Sequence, residues 1–199
     1  MEALFEELAT QLREHPGRPL DLPGVAWREA AVMVPLTFRE GSPRILFTLR
    51  PESLRRHGGQ ISFPGGVRDP GDLTPLHAAL RELQEEVGVE AQRVEVLGML
   101  DEIPTITDFR VVPFVGRLTP GTVLQPDPEE IAELIEVPLG VLLEPARQRV
   151  ERHFIRGAER DIYFFEYAGH TIWGATARIL RNLLDQAAEL PAWKELRRP

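Results

Sequence analysis

Three glutamates near the middle of the chain, Glu82, Glu85 and Glu86, stand three and four residues apart. On a helix that spacing brings side chains to one face. Carboxylates grouped in this way repel one another unless a cation lies among them, and hard divalent ions such as Mg2+ or Mn2+ prefer oxygen ligands of this kind. Arg81 adjoins the three and can pair with one carboxylate, fixing its rotamer. Upstream, Phe63-Pro64-Gly65-Gly66 supplies two glycines where a backbone carbonyl or amide can approach a metal ion or a phosphate with no Cβ in the way. Taken singly, each feature has a plainer reading: a solvated helix face and a tight turn.

The carboxylates need a helix, and its limits are written in the sequence. Thr74 is an N-cap residue followed by Pro75 at the first helical position, and Gly88 is a C-terminal cap. Between them Leu76, Ala79, Leu80, Leu83 and Val87 form the apolar stripe that faces a core. Before the helix, residues 28–39 and 43–50 are β-branched and aliphatic and read as two strands joined across Glu40-Gly41-Ser42. Arg50, Arg55, Arg56 and His57 follow the second strand close to the glycine pair, where a basic loop can meet phosphate.

The combination is more specific than its parts. Gly66, Asp72 and the run Arg81-Glu82-Leu83-Gln84-Glu85-Glu86-Val87-Gly88-Val89 resemble the Nudix box, G-x5-E-x7-R-E-U-x-E-E-x-G-U, where U is a bulky aliphatic residue. The nine-residue end matches at every specified position. The front departs from it: Asp72 stands in place of Glu, and eight residues separate it from Arg81. A second segment, Leu46-Phe47-Thr48-Leu49-Arg50 with Arg55, Gly59 and Phe63-Pro64-Gly65-Gly66, is similar to the signature of the coenzyme A diphosphatase branch, with Phe47 and Pro51 as departures. The longer gap after Asp72 also looks like that branch.

The resemblance covers roughly residues 28–185 and implies an α/β (α+β) Nudix fold, a mixed β-sheet between helices. It implies metal-dependent hydrolysis of a nucleoside diphosphate derivative. For this branch the substrate is coenzyme A, cleaved to 3′,5′-ADP and 4′-phosphopantetheine. It assigns Glu82, Glu86 and Glu85 to Mg2+ or Mn2+, with the Gly66 or Gly65 carbonyl as a further ligand, and Arg81 to orienting a glutamate. Glu85, Glu82 and Glu130 compete for the general base. Arg50, Arg55, Gly59, Phe63 and Gly65 fall to substrate binding. Other substrates, such as ADP-ribose or a dinucleotide polyphosphate, remain open, as does a nucleotide-sensing Nudix module without turnover.

Composition narrows the field. The chain has 199 residues and a formal net charge of −8, which disfavours the broad basic face that nucleic acids require but leaves room for a small polyanion met by local arginines. With no cysteine there is no disulfide, thiolate ligand or thiol nucleophile, and the five histidines form no i,i+4 pair. No apolar run suits a membrane span and the acidic, amphipathic N-terminus is unlike a signal peptide, so cytoplasmic residence is expected. We expect residues 1–24 to form an N-terminal helix and stiff linker, 25–190 the catalytic domain and 191–199 a tail; a homodimer is compatible with the fold.

Along the remainder, 93–100 and 109–118 read as strands joined by a polar loop, in which Thr105 or Thr107 is a substrate contact or a turn residue. Asp108 there replaces a glycine of the family pattern. The resemblance makes 131–137 a strand and 138–143 a short helix. Residues 149–156 and 161–168 read as a hairpin, and Ile172-Trp173-Gly174-Ala175-Thr176-Ala177 opens a helix over about 174–190, with Trp173 expected in the core rather than as a platform for adenine.

Overall fold

The computed structural model describes residues 2–21, 24–53, 58–155 and 157–196. Helix α1 (Glu2–Glu14) leads into strands β1 (Arg28–Arg39) and β2 (Ser42–Leu49), followed by the short strands β3 (Ile61–Ser62) and β4 (Gly65–Val67) and helix α2 (Pro75–Val87). Then come β5 (Val94–Met99), β6 (Ile103–Pro104), β7 (Phe109–Leu118), β8 (Glu133–Pro138) and α3 (Leu139–Leu142). The chain closes with β9 (Gln148–Ile155), β10 (Ala158–Tyr167), β11 (His170–Trp173), α4 (Gly174–Ala187) and α5 (Pro191–Glu195).

The larger sheet runs β3-β2-β1-β7-β5, with β4 on β1, β6 on β7 and β8 on β2. Its spine is the parallel pair of β1 and β7, in register from Arg28 opposite Phe109 to Leu36 opposite Arg117. The other pairings in this sheet are antiparallel, so the sheet is mixed. A smaller antiparallel sheet, β11-β10-β9, stands apart from it.

The central strands are apolar on both faces because both faces are covered. Ala31, Met33, Leu46 and Val112 point to α2 and pack with Ala79, Leu83 and Val87. The alternate residues Val34, Leu36, Ile45, Phe47, Val111 and Val115 point the other way, into a core closed by α1, α4 and α5. The period-2 alternation of each strand thus feeds two separate cores. No helix among the described residues is long and apolar enough to cross a membrane.

Both chain ends enter this packing. Leu4, Phe5, Leu8 and Leu12 of α1 are buried in the main core. The segment expected to be a tail forms α5 instead, with Trp193 buried and its Nε1–H donating to the Leu4 carbonyl at 3.4 Å. The Ala192 N–H adds a bond to the Glu7 carboxylate at 3.0 Å. Trp173, expected in the core, is instead 50% exposed at the end of β11. The loop before β7 is tied by its own side chains: Thr105 Oγ1 accepts the Phe109 N–H and lies 3.0 Å from Thr107 Oγ1. Asp108 holds a φ of 61°, the left-handed conformation that explains a glycine in the family pattern.

If the two ends are structural parts of the core, Trp193→Ala lowers the unfolding free energy by about 3–5 kcal/mol, the range for emptying a buried aromatic site. Urea unfolding followed by circular dichroism checks this; a change within error would mean that α5 is not part of the cooperative unit.

Candidate functional site

Helix α2 starts and stops where its sequence signals place it. Thr74 Oγ1 accepts the His77 N–H at 3.2 Å, Pro75 follows, and Gly88 closes the helix in the left-handed conformation at φ 74° with its N–H on the Gln84 carbonyl. Docked on the sheet, α2 buries Ala78, Ala79, Leu83 and Val87, and with them the side chain of Glu86, which is 2% exposed. A carboxylate at that depth needs partners. Glu86 Oε2 accepts the Gly65 N–H at 3.2 Å and Oε1 faces Arg50 Nη1 at 3.2 Å.

Each partner is delivered by the sheet. Gly65 lies opposite Val32 in the β1–β4 ladder, where any Cβ would meet the Ala31 carbonyl oxygen at 2.4 Å. Glycine is required there for close backbone approach, and its amide serves Glu86; the pair Gly65-Gly66 is strand, not an open ligand loop. Arg50 leaves the end of β2, where its N–H donates to Gln60 O and its carbonyl accepts the Gly59 N–H across a turn with Gly59 at φ 71°. The second Arg50 amino group lies 4.0 Å from Glu130 Oε2. Glu130 is brought close by a loop laced to α2, with Gln125 N–H on Val87 O and Asp127 N–H on Glu86 O.

Arg81 organises the other carboxylates. Its Nη1 donates to Glu82 Oε1 at 2.9 Å and Glu85 Oε2 at 2.8 Å, while Nη2 reaches Asp72 Oδ2 at 2.9 Å and the Val67 carbonyl at 3.2 Å. Asp72 is buried and also accepts the Asp69 N–H, so the loop before α2 closes on one guanidinium. Arg68 braces the same loop, donating to the Asp72 and Leu73 carbonyls and pairing with Glu29 at 2.5 Å; Arg110 also pairs with Glu29. The sequence singles out Asp72 without assigning it a partner, and it does not reveal the Glu29–Arg68–Arg110 brace.

The expected convergence of the three glutamates is not formed as one cluster. Arg81 draws Glu82 and Glu85 to itself while Glu86 turns inward to Gly65 and Arg50, so among the described residues no three carboxylates or histidines stand together as a metal cage. Phe63, expected to bind substrate, is a core residue at 2% exposure, stacked on Phe47 with centroids 4.8 Å apart. Arg55 lies outside the described residues. Glu85 and Glu130 are the more open carboxylates of the group, about half exposed, and Gly66 lies beneath the Glu82 carboxylate, where a Cβ would meet Oε1 at 2.4 Å.

The charges are unevenly compensated. Burial pushes Glu86 up from the usual 4.5 to about 7, against the opposing pull of the Gly65 amide and Arg50, and the negative charges of Glu82 and Glu130 add to the rise. Burial also raises Glu82, even with Arg81 beside it. Asp72 goes the other way, lowered by its hydrogen bond to Arg81. The site thus holds more negative charge than its two arginines balance. Oxygen donors, a crowded carboxylate against a glycine, and residual repulsion suit a hard divalent cation.

Comparison with known proteins places the chain in a family. The model of the NUDIX domain matches residues 27–157. The Nudix hydrolase NudL of Photorhabdus laumondii is 41% identical over 159 residues, covering 80% of this chain and 84% of its own. NudL of Salmonella paratyphi B is 38% identical over 164 residues, covering 82% and 85%. Among solved structures, a MutT/nudix family protein from Enterococcus faecalis superposes with a TM-score of 0.54 at 15% identity, over 96% of this chain and 73% of that one. The NUDIX domain of Shewanella oneidensis NrtR, solved with ADP-ribose, gives 0.52 at 17% identity, over 90% and 96%. These two speak for the fold. The family match and the NudL relatives go further: the chain belongs to the Nudix hydrolases, enzymes that cleave pyrophosphate bonds in nucleoside diphosphate derivatives.

Proposed function

We propose that this enzyme hydrolyses the diphosphate bond of coenzyme A, or of a coenzyme A derivative, to 3′,5′-ADP and 4′-phosphopantetheine. The observation that carries the reading is Arg50. It comes from the Leu46–Gly66 segment similar to the coenzyme A branch, and its guanidinium stands between Glu86 and Glu130, at hydrogen-bond distance from the first. A guanidinium there can meet a diphosphate oxygen with its fork of donors.

In this reading Glu82 and Glu86 are the principal holders of Mg2+ or Mn2+, with Glu85 and the Gly66 carbonyl completing the set. The bound ion supplies neutralisation of the diphosphate charge and lowers the pKa of a water molecule. The protein contributes the rest by position. Arg81, raised further above its already high pKa chiefly by the hydrogen bonds it donates to Asp72, stays charged and keeps Glu82 and Glu85 in place. Arg50 and Arg55 bind the diphosphate. Glu85 and Glu130 are the candidates for general base because their carboxylates are open to solvent and within reach of a water molecule, whereas Glu86 is buried. Gly59 and Gly65 act through the backbone, the first by closing the turn beside Arg50 and the second by holding Glu86; Phe63 acts only by packing beneath them.

Chromatography of products after incubation with coenzyme A tests the substrate. Release of 3′,5′-ADP and 4′-phosphopantetheine with Mg2+ or Mn2+, abolished by EDTA, is the expected result. ADP-ribose or a dinucleotide polyphosphate cleaved in its place would keep the pyrophosphatase chemistry and refute the coenzyme A assignment.

Glu82→Gln and Glu86→Gln should each lower kcat on the order of 100-fold or more, the scale seen when a preorganised charge is taken from a reacting centre. Turnover near the wild-type rate would remove both from the metal set.

The raised Glu86 pKa also sets a pH dependence in the chelated protein. The folded state holds this proton up to about pH 7 and the unfolded state only to 4.5, so folding is favoured below that window and the contribution is lost as pH rises through it. In EDTA the Tm should fall between pH 5 and 8, and the fall should be shallower in Glu86→Gln. A slope equal in both proteins would contradict the assignment.

A further inference from the structure

The small sheet carries an outward-facing row of side chains that the reaction described above does not use. Trp173 of β11 lies opposite Phe164 of β10, which lies opposite Arg149 of β9. Directly opposed residues share a face, and the neighbouring pair Ile172–Phe165 is buried, so the Trp173 row points away from the core. The Arg149 guanidinium stacks 3.9 Å from the centre of the Phe164 ring and also pairs with Glu151. Phe164 is thereby covered. The indole of Trp173 is the open end of the row, half exposed.

That open end belongs to the strand that packs beside β3, and two residues separate β3 from β4 of the site. Three residues after Trp173, the hydroxyl of Thr176 donates a buried hydrogen bond to the Ile61 carbonyl at 3.0 Å, fixing the start of α4 against β3. Ile61 is four residues from Gly65, whose amide holds Glu86; four residues span at most about 14 Å. The indole is set on regular strand backbone with a helix starting at the next residue. It is a rigid aromatic face, which costs little ordering when a flat ligand stacks on it.

We infer that Trp173 is a stacking platform for the nucleobase of the substrate, and so a substrate-binding residue. The inference rests on the nucleotide reading of the site but not on coenzyme A in particular. Stacking of a base on an aromatic side chain depends on the π-face and needs no hydrogen-bond readout. Loss of the platform acts on ground state and transition state alike, and so appears in KM with kcat little changed.

The test uses the full chain with two variants and AMP as the probe. Trp27 is partly buried and Trp193 buried, leaving Trp173 as the exposed indole among the described residues. AMP should quench the fluorescence of the wild type, and the quench should vanish in Trp173→Phe. Trp173→Phe keeps a stacking face and should hold KM within about twofold, whereas Trp173→Ala should raise KM roughly tenfold or more for whichever nucleotide is turned over. An unchanged KM in Trp173→Ala, an equal rise in both variants, or a quench that survives in Trp173→Phe would overturn the platform. Absence of nucleotide turnover by the wild type would instead refute the proposed function, while AMP quenching would still report on the platform.

Discussion

A buried carboxylate is the constraint around which this fold is arranged. Glu86 sits on the inner side of its helix, at a depth where charge is tolerated only with partners. The partners come from two directions. Gly65 approaches because β4 lies flush against β1, which only a residue without a Cβ allows. Arg50 approaches because β2 ends there and a glycine turn closes beside it. The parallel pairing of β1 with β7 and the docking of α2 across it are what make these approaches coincide. Glu86 remains incompletely compensated even so, with its proton affinity raised by burial. Residual charge of this kind at the rim of a sheet is a means of holding a cation.

Arg81 plays the complementary part on the outer side. One guanidinium satisfies Asp72, Glu82, Glu85 and a backbone carbonyl, tying the loop before the helix to the helix itself. Bidentate donors in a fixed plane give such a junction its geometry, which a lysine would not reproduce. Asp72 in place of glutamate is shorter by one methylene, and the loop from Gly66 to Arg81 is longer than in the general pattern; the carboxylate still reaches the arginine because Arg68 draws the loop inward through two carbonyls. The departure from the box is thus absorbed locally without loss of the clasp.

Much of this was legible in the sequence where the signals are local. Thr74, Pro75 and Gly88 bound the helix in both readings, because caps and left-handed ends are decided by neighbouring residues. The strand runs of β1, β2 and β7 were also plain from their β-branched and aliphatic content. What failed depended on three-dimensional partners. Helix spacing places Glu82, Glu85 and Glu86 on one side, but Arg81 and Arg50 divide them, and no periodicity reveals which arginine wins. Phe63 looked like a binding residue by its place in a motif and turned out to support the motif from below. Trp173 looked like core by its type, yet the pairing with Phe164 turns it outward. The C-terminal segment gave too short a pattern to show that α5 folds back onto α1.

The central claim is the proposal that Glu82 and Glu86 together hold a divalent cation. Anomalous diffraction from crystals grown with Mn2+ tests it most directly. The account predicts a manganese peak within coordination distance of the Glu82 and Glu86 carboxylates, with Arg81 and Arg50 still flanking them. A peak elsewhere, or none at a concentration that supports turnover, would contradict it.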